Sequence, residues 1–345
     1  SNQFHHKFIT MVPPSSKPTT KWLCHWCLLM LSANGLAQPI DNIHKSSPQP
    51  NIFQRQKTIE SKRRIVLEEP CTAMIRDIMS ATVDRADLQC ATPSGMLYTI
   101  PQVDNAWIEE KQLNHELISG VSQIDLPPNT LIDVETQTLV LDSEPILRNP
   151  SSRDSIRGRR KLATADKAKG TKTVLVVRVE ATDSATSLSE RELASDVFGD
   201  NGDPNNLSSQ YKACSFEKFE MTKAWGKRGV SQDIVNGVTT VQVPLATSSG
   251  EAAILNAINS ELTTQFSTGV SDLADFVMFC LPPGVMHPDD IAYAHMNGYR
   301  SVYNDDACRQ VSTQIHEIGH NLNLNHSGRG TSEYGDKSCM MGYSY

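Results

Sequence analysis

Outside one stretch near the N-terminus, the 345-residue chain has no apolar run long enough to cross a bilayer. The acidic second half also lacks a basic stripe, which argues against nucleic acid as a partner, because phosphate binding depends on clustered Lys and Arg. Acids in the loop GDNGDPNNLSSQY do not follow EF-hand spacing, so the loop reads as solvated rather than as a calcium site. With hydrophobic residues at 39% and charged residues at 21%, the chain is neither broadly disordered nor a membrane bundle. Residues 1–160 carry 17 basic and 17 acidic side chains and residues 161–345 carry 15 and 22, so the whole net charge of −7 sits on the second half.

The exceptional stretch is 22–37, WLCHWCLLMLSANGLA, which follows Lys17 and Lys21 and ends in Gly35 and Ala37. A positive flank, a short apolar run and a small-x-small end are the parts of a secretory signal, too short for stable membrane insertion. Cys24 and Cys27 would leave with it. The remaining six cysteines, an even number in an exported chain, predict disulfides.

Three regions follow: a leader over 1–37, a second segment over 38–160, and a main domain over 161–345. Residues 38–60 are rich in Pro, Ser, Asn and Gln and read as a linker. From 64 to 147, short apolar runs such as MLYTI and TLVLD alternate with turn residues, which predicts a small β-rich unit. Arg157-Gly158-Arg159-Arg160 has the RxRR spacing cut by furin-type convertases. Residues 38–160 are therefore expected to be a propeptide released at Arg160.

The main domain opens on the β-branched run 173–179, TVLVVRV, typical of a buried strand. Ser189 is placed to cap a helix reaching Phe198. Asn206-Leu207-Ser208 has the form of a glycosylation site. Further strands are expected at 238–243 and 276–280, with a helix over 251–265 between them, which makes the domain α/β. IAYAHMNGYRSVYN alternates apolar and polar positions like an edge strand, a place where an extended peptide can add.

Residues 316–326, HEIGHNLNLNH, carry the chemistry. On a helix expected to begin near Asn304, Asp305 and Asp306, with Val311, Ile315, Ile318 and Leu322 as its apolar stripe, His316 and His320 share one face. Both can reach a single zinc ion. Glu317 lies beside them, placed as general base toward a zinc-activated water. His326 can supply a third ligand only if the chain turns sharply after the helix, and Asn321, Asn323 and Asn325 can serve a left-handed turn.

This segment resembles the metzincin signature HExxHxxGxxH, with Asn323 in place of the glycine. Cys339-Met340-Met341-Gly342-Tyr343 resembles the Met-turn beneath the metal, with Met341 at its methionine. Together with NLSSQYKACS and IAYAHMNGYRSVYND, the combination is most similar to the gametolysin/autolysin family of cell-wall metalloproteinases, over roughly 170–345. The resemblance implies a twisted, mostly parallel sheet with an antiparallel edge strand, one catalytic Zn2+, and secreted endopeptidase activity on matrix or hydroxyproline-rich wall glycoproteins. It also implies that Tyr343 helps hold the oxyanion, and that a further C-terminal segment follows Tyr345. Cys90, in LQCATPSG, has the Cys-x-x-Pro spacing of a latency thiolate, but Cys71 is an obvious disulfide partner and the bridge is the favoured reading. Two rivals stand beside the peptidase: an HExxH enzyme whose third ligand is Glu333, and a non-catalytic extracellular protein with structural zinc.

Overall fold

The computed structural model describes residues 70–93, 95–127, 130–133, 136–141, 143–149, 167–225, 234–328 and 333–342. The signal-like stretch 22–37, the RxRR run ending at Arg160, and Tyr343 lie outside the described residues.

The first part contains β1 (Cys71–Ser80), β2 (Arg85–Ala91), β3 (Leu97–Thr99), helix α1 (Asn105–Leu113), β4 (Gln123–Asp125), β5 (Leu131–Asp133), β6 (Thr138–Val140) and β7 (Ile146–Arg148). The strand-rich reading of this segment agrees with the structure, but α1 was not foreseen. Its start is set by Asp104, whose carboxylate accepts from the Trp107 amide at 2.9 Å.

The second part contains β8 (Gly170–Glu180), α2 (Glu190–Phe198), α3 (Leu207–Cys214), β9 (Phe219–Lys223), β10 (Val238–Gln242), α4 (Glu251–Phe266), β11 (Phe276–Leu281), β12 (Asp290–His295), β13 (Arg300–Asn304) and α5 (Val311–Asn321). Strand β8 is central. It pairs in parallel with β9, β10 and β11, and β11 pairs in parallel with β13. Helices cover both faces, which is why β8 reads as a continuous apolar run. Leu175, Val177 and Val179 pack toward Ile254, Ile258 and Leu262 of α4. Val174 and Val176 face the opposite layer, with Leu193 and Val197 of α2, Leu207 and Tyr211 of α3, and Ile315 and Ile318 of α5. Ser189 caps α2 in a capping box with Glu192, and the helix ends on left-handed Gly199.

Three local expectations change. Residues 290–304 form not one edge strand but the antiparallel hairpin β12–β13, turning through Asn297, whose φ is 57°. Nor is β12 an edge, since β1 pairs with it antiparallel and carries the sheet on into β2 and β3. The helix expected from Asn304 is two elements, a 3-10 turn at Asp305–Arg309 and then α5, separated at Gln310 by an extended backbone with ψ 109°. Finally, Asn206 caps α3, bonds the Ser209 amide, donates from Nδ2 to the Asp203 carbonyl and is 4% exposed, so a glycan on Nδ2 does not fit this packing.

Disulfides join Cys71 to Cys90 and Cys280 to Cys308, and no described cysteine is free. Bonded to Cys71, Cys90 offers no thiolate to a metal, so the latency role weighed for it gives way to the bridge. No helix among the described residues is long and apolar enough to cross a membrane.

Candidate metal centre

Helix α5 brings His316, Glu317 and His320 onto its buried side, with exposures of 3%, 0% and 1%. Two neighbours fix the helix in place. Asn321, itself fully buried, donates to the carbonyls of His295 and Arg300 on the β12–β13 hairpin, both at 3.0 Å. From α3, the Tyr211 hydroxyl donates to the Ile315 carbonyl at 2.8 Å.

The helix then stops in a Schellman arrangement. Asn323 adopts φ 66°, its amide donates to the His320 carbonyl, and the Leu324 amide donates to the Gly319 carbonyl. Asparagine thus takes the left-handed position, as the sequence led us to expect, because its short polar side chain tolerates this backbone. The turn also aims a ligand: the Leu324 carbonyl, held by the cap, accepts from His320 Nδ1 at 2.9 Å. Beyond it, the chain delivers His326 to the same spot, where ligating atoms of His316, His320 and His326 all lie within 4.8 Å of one another.

The floor beneath the helix comes from 339–342. His316 Nδ1 donates to the Met340 carbonyl at 2.7 Å, and the Met341 carbonyl accepts from the Ser327 amide at 2.6 Å. A Cβ added to Gly319 would collide with Sδ of Met341. Replacing Gly319 by Ala is therefore expected to lower the unfolding free energy, overpacking of about 1–3 kcal/mol outweighing the roughly 1 kcal/mol that Ala gains in a helix. Denaturant unfolding measures the loss, which should be smaller when the substitution is made in a Met341→Ala background.

Hydrogen bonding shows what the cluster suits. His316 and His320 each donate from Nδ1 to a backbone carbonyl, so neither carries a proton on Nε2, yet these two nitrogens face each other at 3.1 Å. Two lone pairs so placed repel unless a cation lies between them. Donors on a tetrahedron with bonds of about 2.0–2.1 Å stand roughly 3.3 Å apart, so the spacing fits one zinc-sized ion. His326 is oriented differently, by a carboxylate: its Nδ1 bonds Glu333 Oε1 at 2.6 Å, while its buried Nε2 makes no hydrogen bond. Both Glu317 oxygens are likewise buried without a partner. Such orphaned groups are rare in folded proteins and mark a place where something else binds.

Burial holds His316 well below its ordinary pKa and lowers His320 to about 4, keeping both imidazoles neutral as ligands require. Burial lowers His326 too, but the Asp77 and Glu333 carboxylates outweigh it and raise the group to about 10. Glu317 is pushed well above the carboxylate range, chiefly by burial and then by the Asp77 charge.

The Gametolysin peptidase M11 family model matches residues 172–345, half of the chain, including His316, Glu317, His320, His326 and Met341. The chain belongs to the gametolysin peptidase M11 family. It is accordingly a peptidase, a hydrolase acting on protein substrates. No curated protein and no solved structure matches it.

Within this gametolysin-family site, the sequence had placed His316, His320, His326, Glu317 and Met341, and these do come together. Glu333, weighed as a rival ligand, bonds the third histidine instead. Two residues were missed. The Tyr334 ring lies over His326 with centroids 3.9 Å apart and is hydrogen-bonded to Asp84. Asp77, from β1, puts Oδ1 3.3 Å from His326 Nε2 and 3.8 Å from His320 Nε2. Burial raises the Asp77 pKa, but the His320 and His326 imidazoles outweigh that and bring it to about 2. The available signal for Asp77 was a carboxylate inside the otherwise apolar strand run AMIRDIMS.

Proposed function

We propose that this gametolysin-family chain is a secreted zinc metalloendopeptidase of metzincin architecture, acting on extracellular matrix or cell-wall glycoproteins. The observation that carries the chemistry is the convergence of three imidazole Nε2 atoms beside the unpartnered carboxylate of Glu317. His316, His320 and His326 are the ligands for one Zn2+, and an imidazole triad leaves a fourth position for the reaction. When bound there, zinc supplies Lewis acidity, acidifying a water and polarising the scissile carbonyl.

The chain's own residues do the rest. Glu317 takes the proton of the attacking water and returns it to the leaving amine, which its place next to His316 on the same buried side allows. Glu333 holds the His326 ring by accepting from Nδ1, and the carbonyls of Met340 and Leu324 do the same for His316 and His320. Met341 supports the helix from below, the role of a Met-turn. Tyr343, outside the described residues, is assigned to the oxyanion by resemblance to the family's motif. Secretion rests on the signal-like segment 22–37, and activation on cleavage at Arg160 by a furin-type convertase.

The test is cleavage of a general protein substrate after processing at Arg160. Chelation should abolish cleavage and zinc should restore it. A folded, zinc-loaded, processed protein that cleaves nothing would overturn the catalytic reading in favour of an extracellular protein with structural zinc.

A further inference from the structure

Three donors leave one position at the metal open, and a strand from outside the matched region points a carboxylate at it. We propose that Asp77 is the fourth ligand of the ion held by His316, His320 and His326 in the uncleaved chain, and that β1 lies where an extended substrate would lie. This rests on the metal reading given above and adds to it a donor from a segment that the family model does not match.

Distances come first. Asp77 Oδ1 stands 3.3 Å from His326 Nε2 and 3.8 Å from His320 Nε2, close to the roughly 3.3 Å between ligands of a tetrahedral zinc. His326 Nε2 nevertheless makes no hydrogen bond, as expected if it and Asp77 are turned toward a shared ion rather than toward each other. Charge is the second argument. Asp77 is 8% exposed, and its only ion pairs among the described residues are with those two histidines. With His326 ligating as a neutral imidazole, a carboxylate buried at this point is costly unless the bound cation balances its charge.

The strand supplies the third. In the matched part of the chain β12 is the last strand of the sheet, and β1 adds to it antiparallel with Asp77 opposite Ala294. This is how an extended peptide joins an open sheet edge. Several contacts lock it there. Arg85 of β2 grips Asp290 of β12 through two bonds of 2.8 Å, Arg76 reaches Glu251 of α4, and Cys71 is bonded to Cys90 of β2. Between this segment and His326, a space of about 40 Å³ remains, lined in part by Asp77, Glu109, Glu333 and Tyr334. That is room for a few water molecules and none for a peptide. While β1 is in place, the uncleaved chain has no room for an extended substrate, and with Asp77 on the ion no position there is left for the attacking water. A cut at Arg160 falls between β7 and β8, the connection that must open for β1 to leave.

The experiment uses the full uncleaved chain. Zinc affinity is measured by competition with a chelator, the absorption spectrum is recorded on the cobalt(II)-loaded protein, and proteolysis is assayed alongside. Wild type, Asp77→Ala, the size-conserving Asp77→Asn, His320→Ala and Asp87→Asn are compared, with folding checked by near-UV circular dichroism. Asp87 is the control: it pairs with Arg76 in the same two-stranded region, away from the histidines.

The expected result is that Asp77→Ala weakens zinc binding by at least the 10–100-fold or so that losing an outer partner of a ligand costs. The cobalt spectrum should shift, and the uncleaved chain should gain proteolysis, whereas Asp87→Asn leaves affinity and spectrum as in wild type. If Ala at 77 does not fold, Asp77→Asn reads the same changes. Wild type holding one zinc that His320→Ala loses, with Asp77 variants unchanged in affinity and spectrum, overturns the Asp77 assignment alone. Wild type holding no zinc overturns the metal reading and this assignment together.

Discussion

Replacing Glu317 by Gln in the processed enzyme lowers kcat/KM by about 10²–10⁴-fold, the usual contribution of a positioned general base, and leaves the zinc content unchanged. Gln has nearly the same shape, so the buried space around residue 317 stays filled. What is lost is the capacity to take a proton. The two Glu317 oxygens have no hydrogen-bond partner and the residue is 0% exposed, an arrangement that does nothing for stability. In metal-free protein its pKa lies well above the ordinary 4.5. A carboxyl with a raised folded-state pKa costs nothing below pH 4.5, and its cost grows as pH rises above that value, because the unfolded chain releases the proton first. The same substitution should therefore leave stability at neutral pH equal or higher while activity falls. Kinetics, metal analysis and denaturant unfolding on one preparation test all three. A variant that loses zinc together with activity would mean that Glu317 holds the site rather than acting in it.

How much of this was legible in the sequence depends on how local each signal is. His316, Glu317 and His320 follow from helical spacing alone, and His326 from the need for a turn that Asn323 can make. The strands β8 and β11 announce themselves because burial on both faces favours long apolar runs. The 290–304 hairpin was misread because Asn297-Gly298 lies within a pattern that keeps alternating through the turn. The helix break at Gln310 has neither Pro nor Gly to mark it. Asp77 was illegible for a different reason: its partners lie more than 200 residues away, and only the β1–β12 ladder brings them together. The same holds for Glu333 and Tyr334, whose placement depends on how the segment after His326 folds back. The Cys71–Cys90 bridge, in contrast, was readable from the count of cysteines.

Removing the metal is expected to lower stability by an amount that grows with free zinc, about 4 kcal/mol where zinc stands 1,000-fold above its dissociation constant. The ion joins α5 to the segment that follows it. His316 and His320 belong to α5, which has its own hydrogen bonds to the hairpin and to α3. His326 follows the Schellman turn, in a stretch whose anchors are the Ser327 amide on the Met341 carbonyl, the Asp336 amide on the Ser327 carbonyl, and the Glu333 carboxylate on its own ring. Without the cation, two unprotonated Nε2 atoms remain 3.1 Å apart. One of these two rings must then turn or take a proton, and His326 loses the ion that ties it to them. Loss should accordingly be uneven, with β8, β11 and α4 keeping their amide protection while residues 322–328 and 333–342 lose theirs first. Hydrogen exchange with and without chelator, beside melting curves at several zinc concentrations, measures both effects. A melting temperature independent of zinc would mean that the cluster binds no ion in the folded chain. A uniform loss of protection would mean that the ion supports the whole core rather than this one joint.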